Sequence, residues 1–226
     1  MKFNKILSAG CSFIQGNELG DEHPFSQFTY PALLAKHFHV PYDSVAYASA
    51  SNQGIANRLF QYNDYNNTLV IVQWTYPSRF GVNLSYSYTD KKGQKQTWFD
   101  LAPNNWDLQN VFDDDQSYAF KLKELGIDKL SNTVFKHFGN DENFLFQTKL
   151  CIESTKNFLM NKKVPFVFFC TTPLADTNTF DNLGFIEWCD KHSFPKGKYN
   201  HPLHDAHQFA CEYILDNNLV TKSQQL

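Results

Sequence analysis

The chain is sparing with the features that most quickly narrow a function. Its five cysteines (11, 151, 170, 189 and 211) are odd in number and widely spaced, and no Cys-x-x-Cys occurs. That spacing excludes a disulfide framework or a zinc knuckle and points to reduced thiols. Positive charge is also in short supply: 20 Lys and Arg against 23 Asp and Glu leave a net charge of −3. The basic residues stand singly or in pairs such as Lys91-Lys92 and Lys162-Lys163, with no stripe to neutralise phosphates. No nucleic-acid partner is expected. Long apolar runs are missing too. Nothing approaches the ~18 residues of a membrane-spanning helix, so no membrane partner is expected. The segment Met1–Cys11 has an apolar stretch too short for a secretory signal, interrupted by Asn4 and Lys5. It reads as the first strand of a cytoplasmic protein. Internal repeats and low-complexity segments are absent.

What the chain holds in excess is aromatic. Phe, Tyr and Trp number 22, 11 and 4, 16% of the residues, against an ordinary 42% hydrophobic and 19% charged. An aromatic core accounts for that excess, and so would a groove that stacks sugar rings. The 226 residues suit one domain with a full core, or one domain carrying a long insertion.

Apolar runs alternate with amphipathic stretches. Phe3–Ala9, Val45–Ala48, Thr68–Trp74 and Val164–Cys170 read as strands. Tyr30–His39, Asn52–Tyr62, Gln147–Met160 and Leu203–Leu215 read as helices. The alternation predicts an α/β three-layer sandwich: an open, mostly parallel sheet of about five strands with helices on both faces. Ligands of such sheets bind beyond the carboxyl ends of the strands, where Ser12, Ser49, Trp74 and Thr172 fall. Between Gly81 and Asn143 the rhythm lapses. That stretch reads as an inserted lid or subdomain within a single domain spanning 1–226, partly helical near Ser117–Leu125. Its aromatics, Trp98 and Trp106 first among them, are candidate walls of a substrate groove.

Three clusters carry chemistry. Gly10-Cys11-Ser12, ending in Gly16, puts a serine at the tip of the first strand, where free backbone N–H groups can stabilise an oxyanion. The bland alternative is a helix-capping serine. Ser49-Ala50-Ser51-Asn52 offers a backbone N–H and the Asn52 amide to the same crevice, with Ser51 or Asn52 capping the next helix. His201-Pro202-Leu203-His204-Asp205-Ala206-His207 puts His201 before a helix, free to reach the crevice as a base for Ser12. His207, inside that helix, suits a structural hydrogen bond. His204 and His207 stand at i, i+3, but Asp205 points off their face and no third ligand is placed, so no metal or cofactor is expected.

In this order the three clusters resemble the SGNH (GDSL-type) hydrolase family. Its first block, Gly-Asp-Ser-x-x-x-Gly, is matched by Gly10-Cys11-Ser12-Phe13-Ile14-Gln15-Gly16, with cysteine in place of aspartate. The next block is similar to Ser49-Ala50-Ser51-Asn52-Gln53-Gly54-Ile55, with Ser49 at the glycine position. The third, Gly-x-Asn-Asp, meets Gln73-Trp74-Thr75-Tyr76, which lacks the asparagine. The last, Asp-x-x-His-Pro, finds His201-Pro202, but Lys198 stands where aspartate would. The likeness spans residues 3–75 and about 147–215, leaving 81–143 outside it.

The resemblance implies a flavodoxin-like fold and an ester hydrolase, with Ser12 as nucleophile and His201 as base. Ser12, Ser49 and Thr75 become the oxyanion donors, and Asn52, Trp74, Trp98 and Trp106 the substrate contacts. The implied substrate is a small-molecule or carbohydrate ester, such as an acyl or acetyl ester of a sugar. Without the aspartate, a backbone carbonyl or Asp190 must hold the histidine. In triad enzymes loss of that acid costs about four orders of magnitude in turnover. A non-catalytic binding module on a degenerate version of the fold is the alternative. A thiol nucleophile at Cys11 is discounted, since a residue one position off faces away.

Overall fold

The computed structural model describes residues 3–21, 24–89, 95–101, 126–174 and 177–222. At its centre lies a parallel sheet of four strands, β1 (Lys5–Ala9), β2 (Tyr42–Ser44), β3 (Thr68–Trp74) and β6 (Phe166–Cys170), in the order β2-β1-β3-β6. The fold is therefore α/β as the alternation predicts, with four parallel strands among the described residues. All seven residues of β3 are buried, as befits a continuous apolar run covered on both faces. Alternation along that strand sorts its side chains. Gln73 accepts a hydrogen bond from the Tyr30 hydroxyl at 3.1 Å, while Trp74 meets Phe168 edge-on at 5.5 Å.

Helix α2 (Tyr30–His37) packs against α7 (His204–Asp216), and α3 (Asn52–Gln61) packs against α5 (Asp141–Asn161). The remaining helices among the described residues are α1 (Ser12–Gln15), α4 (Ile127–Phe138), α6 (Phe185–Lys191) and α8 (Leu219–Lys222). Fully buried Tyr30, Phe169, Phe180, Phe185 and Trp188 meet in edge, stacked and tilted ring contacts, so much of the aromatic excess goes into the core.

Two expectations need correcting. The second strand is Tyr42–Ser44, which pairs with Ile6–Ser8; Val45–Ala48 is the loop that leaves it. Part of the 81–143 stretch is regular: β4 (Phe80–Thr89) and β5 (Lys95–Leu101) form an antiparallel hairpin with an irregular register between Asn83 and Tyr88. Trp106 and the helix expected near 117–125 lie outside the described residues.

Candidate active site

The main chain leaves β1 through Gly10 and Cys11 directly into the single turn of α1, whose first residue is Ser12. Gly10 is required by close approach: a Cβ there would lie 2.7 Å from Ile14 Cγ1 and 3.2 Å from the Gln73 carbonyl oxygen. Cys11 caps α1 and is wholly buried, while Ser12 is 7% exposed. Beside this turn the Tyr47 N–H donates to the Gly10 carbonyl at 3.1 Å, tying the loop after β2 to the loop after β1. Ser49 follows in a left-handed conformation, φ 62°. A serine at the family's glycine position thus holds the backbone shape that glycine prefers, and it bears the strain.

The histidine arrives on a tight turn. The Gly197 N–H donates to the His201 carbonyl at 2.9 Å, and Lys196 pairs with Pro202. The His201 ring stands edge-on to Phe13 with centroids 5.3 Å apart, which sets it against α1. Its Nδ1 lies 2.7 Å from Oε2 of Glu18, a residue that no motif singles out. The same carboxylate accepts from the Tyr199 N–H at 3.0 Å and from the His201 N–H at 3.4 Å. Glu18 and His201 are 17% and 12% exposed. Glu18 itself is left-handed, φ 68°, and a Cβ on Gly197 would lie 2.5 Å from its carboxyl group. The carboxyl group thus fills the space beside Gly197 that any larger residue would need.

Desolvation pushes the Glu18 carboxyl up, but the His201 ring and the two backbone N–H groups outweigh it and leave it below the usual carboxylate range. An ionised carboxylate only accepts, so His201 Nδ1 carries a proton, and in the neutral ring Nε2 is the nitrogen with the lone pair. The group in contact with His201 Nδ1 is therefore the Glu18 carboxylate, where a backbone carbonyl or Asp190 was expected. Asp190 pairs with Lys196, and Lys198, at the family's aspartate position, lies 5.1 Å from the Tyr199 ring centroid. The expected hydrogen bond between Ser12 Oγ and His201 is not made here. Such contacts commonly tighten only once substrate is bound.

Other site candidates are placed differently. The Thr75 N–H donates to Asn52 Oδ1 at 2.8 Å, so it is not available to an oxyanion, and the Thr75 hydroxyl is buried without a partner. Asn52 is 1% exposed and donates to the Thr75 carbonyl and the Thr148 hydroxyl, which makes it a clamp between β3, α3 and α5. Trp74 is fully buried and cannot line a groove. Trp98 is half-buried and donates Nε1–H to Asp100 Oδ1 at 3.0 Å. Asp100 also accepts from the Ser51 N–H and hydroxyl and pairs with Arg58 at 3.1 Å. The hairpin is thereby fastened to the N-terminus of α3, two residues from Ser49. His207 Nδ1 accepts the Tyr30 N–H at 3.3 Å, the structural bond expected of it. Among the described residues no three His, Cys, Asp or Glu side chains converge as a metal site. No described helix is long and apolar enough to cross a membrane.

No family model and no curated protein matches the chain. Solved structures resemble it loosely. Phospholipase A1 from Streptomyces albidoflavus aligns with 95% of this chain and 99% of its own at 9% identity, TM-score 0.42. The acetyl xylan esterase Est2A of Butyrivibrio proteoclasticus aligns with 96% of this chain, which spans 64% of Est2A, at 10% identity and TM-score 0.46. An active-site mutant of a family two carbohydrate esterase from Clostridium thermocellum aligns at 12% identity, TM-score 0.43, over 96% of this chain and 63% of its own. Likeness at this level does not say which residues act.

Proposed function

We propose that this chain hydrolyses a carboxylic ester, with Ser12 as nucleophile, His201 as general base and Glu18 as the acid that holds His201. The observation that carries the reading is the 2.7 Å contact between Glu18 and His201 Nδ1, beside the turn that bears Ser12. It leaves Nε2 as the basic nitrogen of a ring standing against α1. With substrate bound, Nε2 takes the Ser12 proton as Oγ attacks the ester carbonyl, and the imidazolium formed is stabilised by the Glu18 charge. His201 then returns that proton to the leaving alcohol. Water, deprotonated in turn by His201, cleaves the acyl-serine. The N–H groups of Ser12 and Ser49 are the oxyanion donors in this scheme, without one from Thr75. A short acyl or acetyl ester of a sugar is the proposed substrate class, since the aromatic Trp98 hairpin borders the Ser49 turn.

Hydrolysis of 4-nitrophenyl acetate is the test. Ser12→Ala and His201→Ala are each expected to remove at least about a thousandfold of wild-type turnover, because nucleophile and base act as one unit. A wild-type protein inert toward short esters, or activity that survives Ser12→Ala, would overturn the reading in favour of a binding module.

A further inference from the structure

Only two of the chain's 20 basic residues are arginine, Arg58 and Arg79, and both stand against the loop that carries Ser49. They are held differently. Arg58 lies over the Tyr47 ring and pairs with Asp100 at 3.1 Å, so its charge is met inside the fold. Arg79 ends the connection from β3 to β4, beyond the carboxyl end of the central strand. Its backbone N–H donates to the Tyr76 carbonyl at 3.2 Å, and its guanidinium lies 5.4 Å from the Tyr76 ring centroid. Its Nη1 donates to the carbonyl of fully buried Ala50 at 3.2 Å. A half-buried cation is thereby fixed on the residue that follows Ser49.

No carboxylate among the described residues pairs with Arg79. Its Nε and Nη2 have no partner among those residues either and, unlike the sealed Nη1 of Arg58, are open to solvent. Supporting the Ser49 turn needs only Nη1. What remains is a guanidinium already held by a ring and a carbonyl, with the parallel N–H groups of Nε and Nη2 still to be used. That pair matches the two oxygens of a carboxylate, a recognition for which arginine is suited and lysine is not. One guanidinium also balances one carboxylate in charge, whereas a neutral ester makes no use of it. The location agrees with a ligand role, since ligands of open parallel sheets gather beyond the carboxyl ends of the strands.

We infer that, in the hydrolase proposed above, on which this assignment rests, Arg79 binds a carboxylate carried by the ester substrate. That carboxylate belongs to the acyl part or to the alcohol, as in a sugar acid. Two matched pairs of esters test this and separate the two sources. 4-Nitrophenyl hemisuccinate against 4-nitrophenyl butyrate puts the charge on the acyl side. 4-Carboxyphenyl acetate against 4-carbamoylphenyl acetate puts it on the alcohol. The ratio of kcat/KM, charged over neutral, is taken within each pair, so any loss of folded protein cancels. In at least one pair Arg79→Gln should lower that ratio about tenfold or more, and Arg79→Lys, which keeps the charge without the fork, should retain part of it. Ratios unchanged in Arg79→Gln would overturn the inference, including the case in which all four esters slow alike and Arg79 merely supports the Ser49 turn. Succinate titrated into the Ser12→Ala protein tests the anion site without hydrolysis. It should shift the Arg79 Nε–H signal in two-dimensional NMR and leave that of Arg58 in place; an unmoved Arg79 signal would count against the site. A succinate shift alongside a wild type inert toward all four esters would sustain the anion site while refuting the hydrolase reading.

Discussion

Two carboxylates largely removed from solvent, Glu18 and Asp100, are built from the same parts and put to different ends. Each accepts a backbone N–H from a loop distant in sequence, and each faces a basic side chain: His201 at 2.7 Å for Glu18, Arg58 at 3.1 Å for Asp100. The difference lies in the partner. Arg58 is permanently charged, so Asp100 forms a fixed clamp that pins β5 to the start of α3. In the proposed mechanism His201 takes and returns a proton, so Glu18 would stabilise a charge that exists only during the reaction. Glu18 is also held in a left-handed backbone and more exposed, 17% against 5% for the Asp100 side chain. Strain and partial exposure beside a titratable partner favour the proposed working site at Glu18, and deep burial against a fixed cation favours a structural role for Asp100.

Substitution should separate the two. Glu18→Gln removes the charge while keeping the shape, and kcat toward a short aryl ester is expected to fall by up to about 10⁴-fold, with a melting temperature close to wild type. Asp100→Asn should do the reverse. It strands Arg58 and is expected to cost about 3–5 kcal/mol in urea denaturation, with esterase activity kept in the fraction that stays folded. A smaller effect tests a third titratable group. Burial, with the nearby His204 and His201, pulls the His207 imidazole down to about 3. Between that value and its ordinary 6.5 the unfolded chain binds the extra proton, so stability falls as pH drops, by up to about 1.4 kcal/mol per unit. His207→Asn, which retains an acceptor for the Tyr30 N–H, should flatten that slope in chemical denaturation run from pH 7 to 4. The smallest expected change is at Ser49. Glycine there relieves the φ 62° backbone and should raise or hold stability within about 1 kcal/mol, with activity retained because the N–H donor remains.

Much of this arrangement is legible in the sequence, and the exceptions share a cause. The β-branched run Thr68–Trp74 announces a central strand, and Gly10-Cys11-Ser12 with His201-Pro202 announces the two ends of the proposed site. The β4–β5 hairpin also carries a local signal, one that treating 81–143 as irregular passes over. Phe80, Val82, Leu84, Tyr86 and Tyr88 alternate at period two, and a glycine, a residue type that favours turns, follows in the sequence at 93. The second strand is harder to place, because β-branched Val45 has the stronger local preference while pairing with β1 selects Tyr42–Ser44. Glu18 cannot be read from the sequence at all. Its partner is 183 residues away, it sits near two other acidic residues, Asp21 and Glu22, and no local pattern distinguishes it. Asp100 escapes for the same reason, since its partners Ser51 and Arg58 are joined to it only by the fold.

The proposed chemistry rests on Ser12 being activated by a histidine that Glu18 holds. Labelling by a fluorophosphonate, followed by intact mass and peptide mapping, tests this most directly. A single adduct on Ser12 is expected in the wild type, none in Ser12→Ala, and labelling slowed by orders of magnitude in Glu18→Gln. Contradiction would come from a folded wild type that takes no label, from label on any other residue, or from Glu18→Gln reacting as fast as wild type.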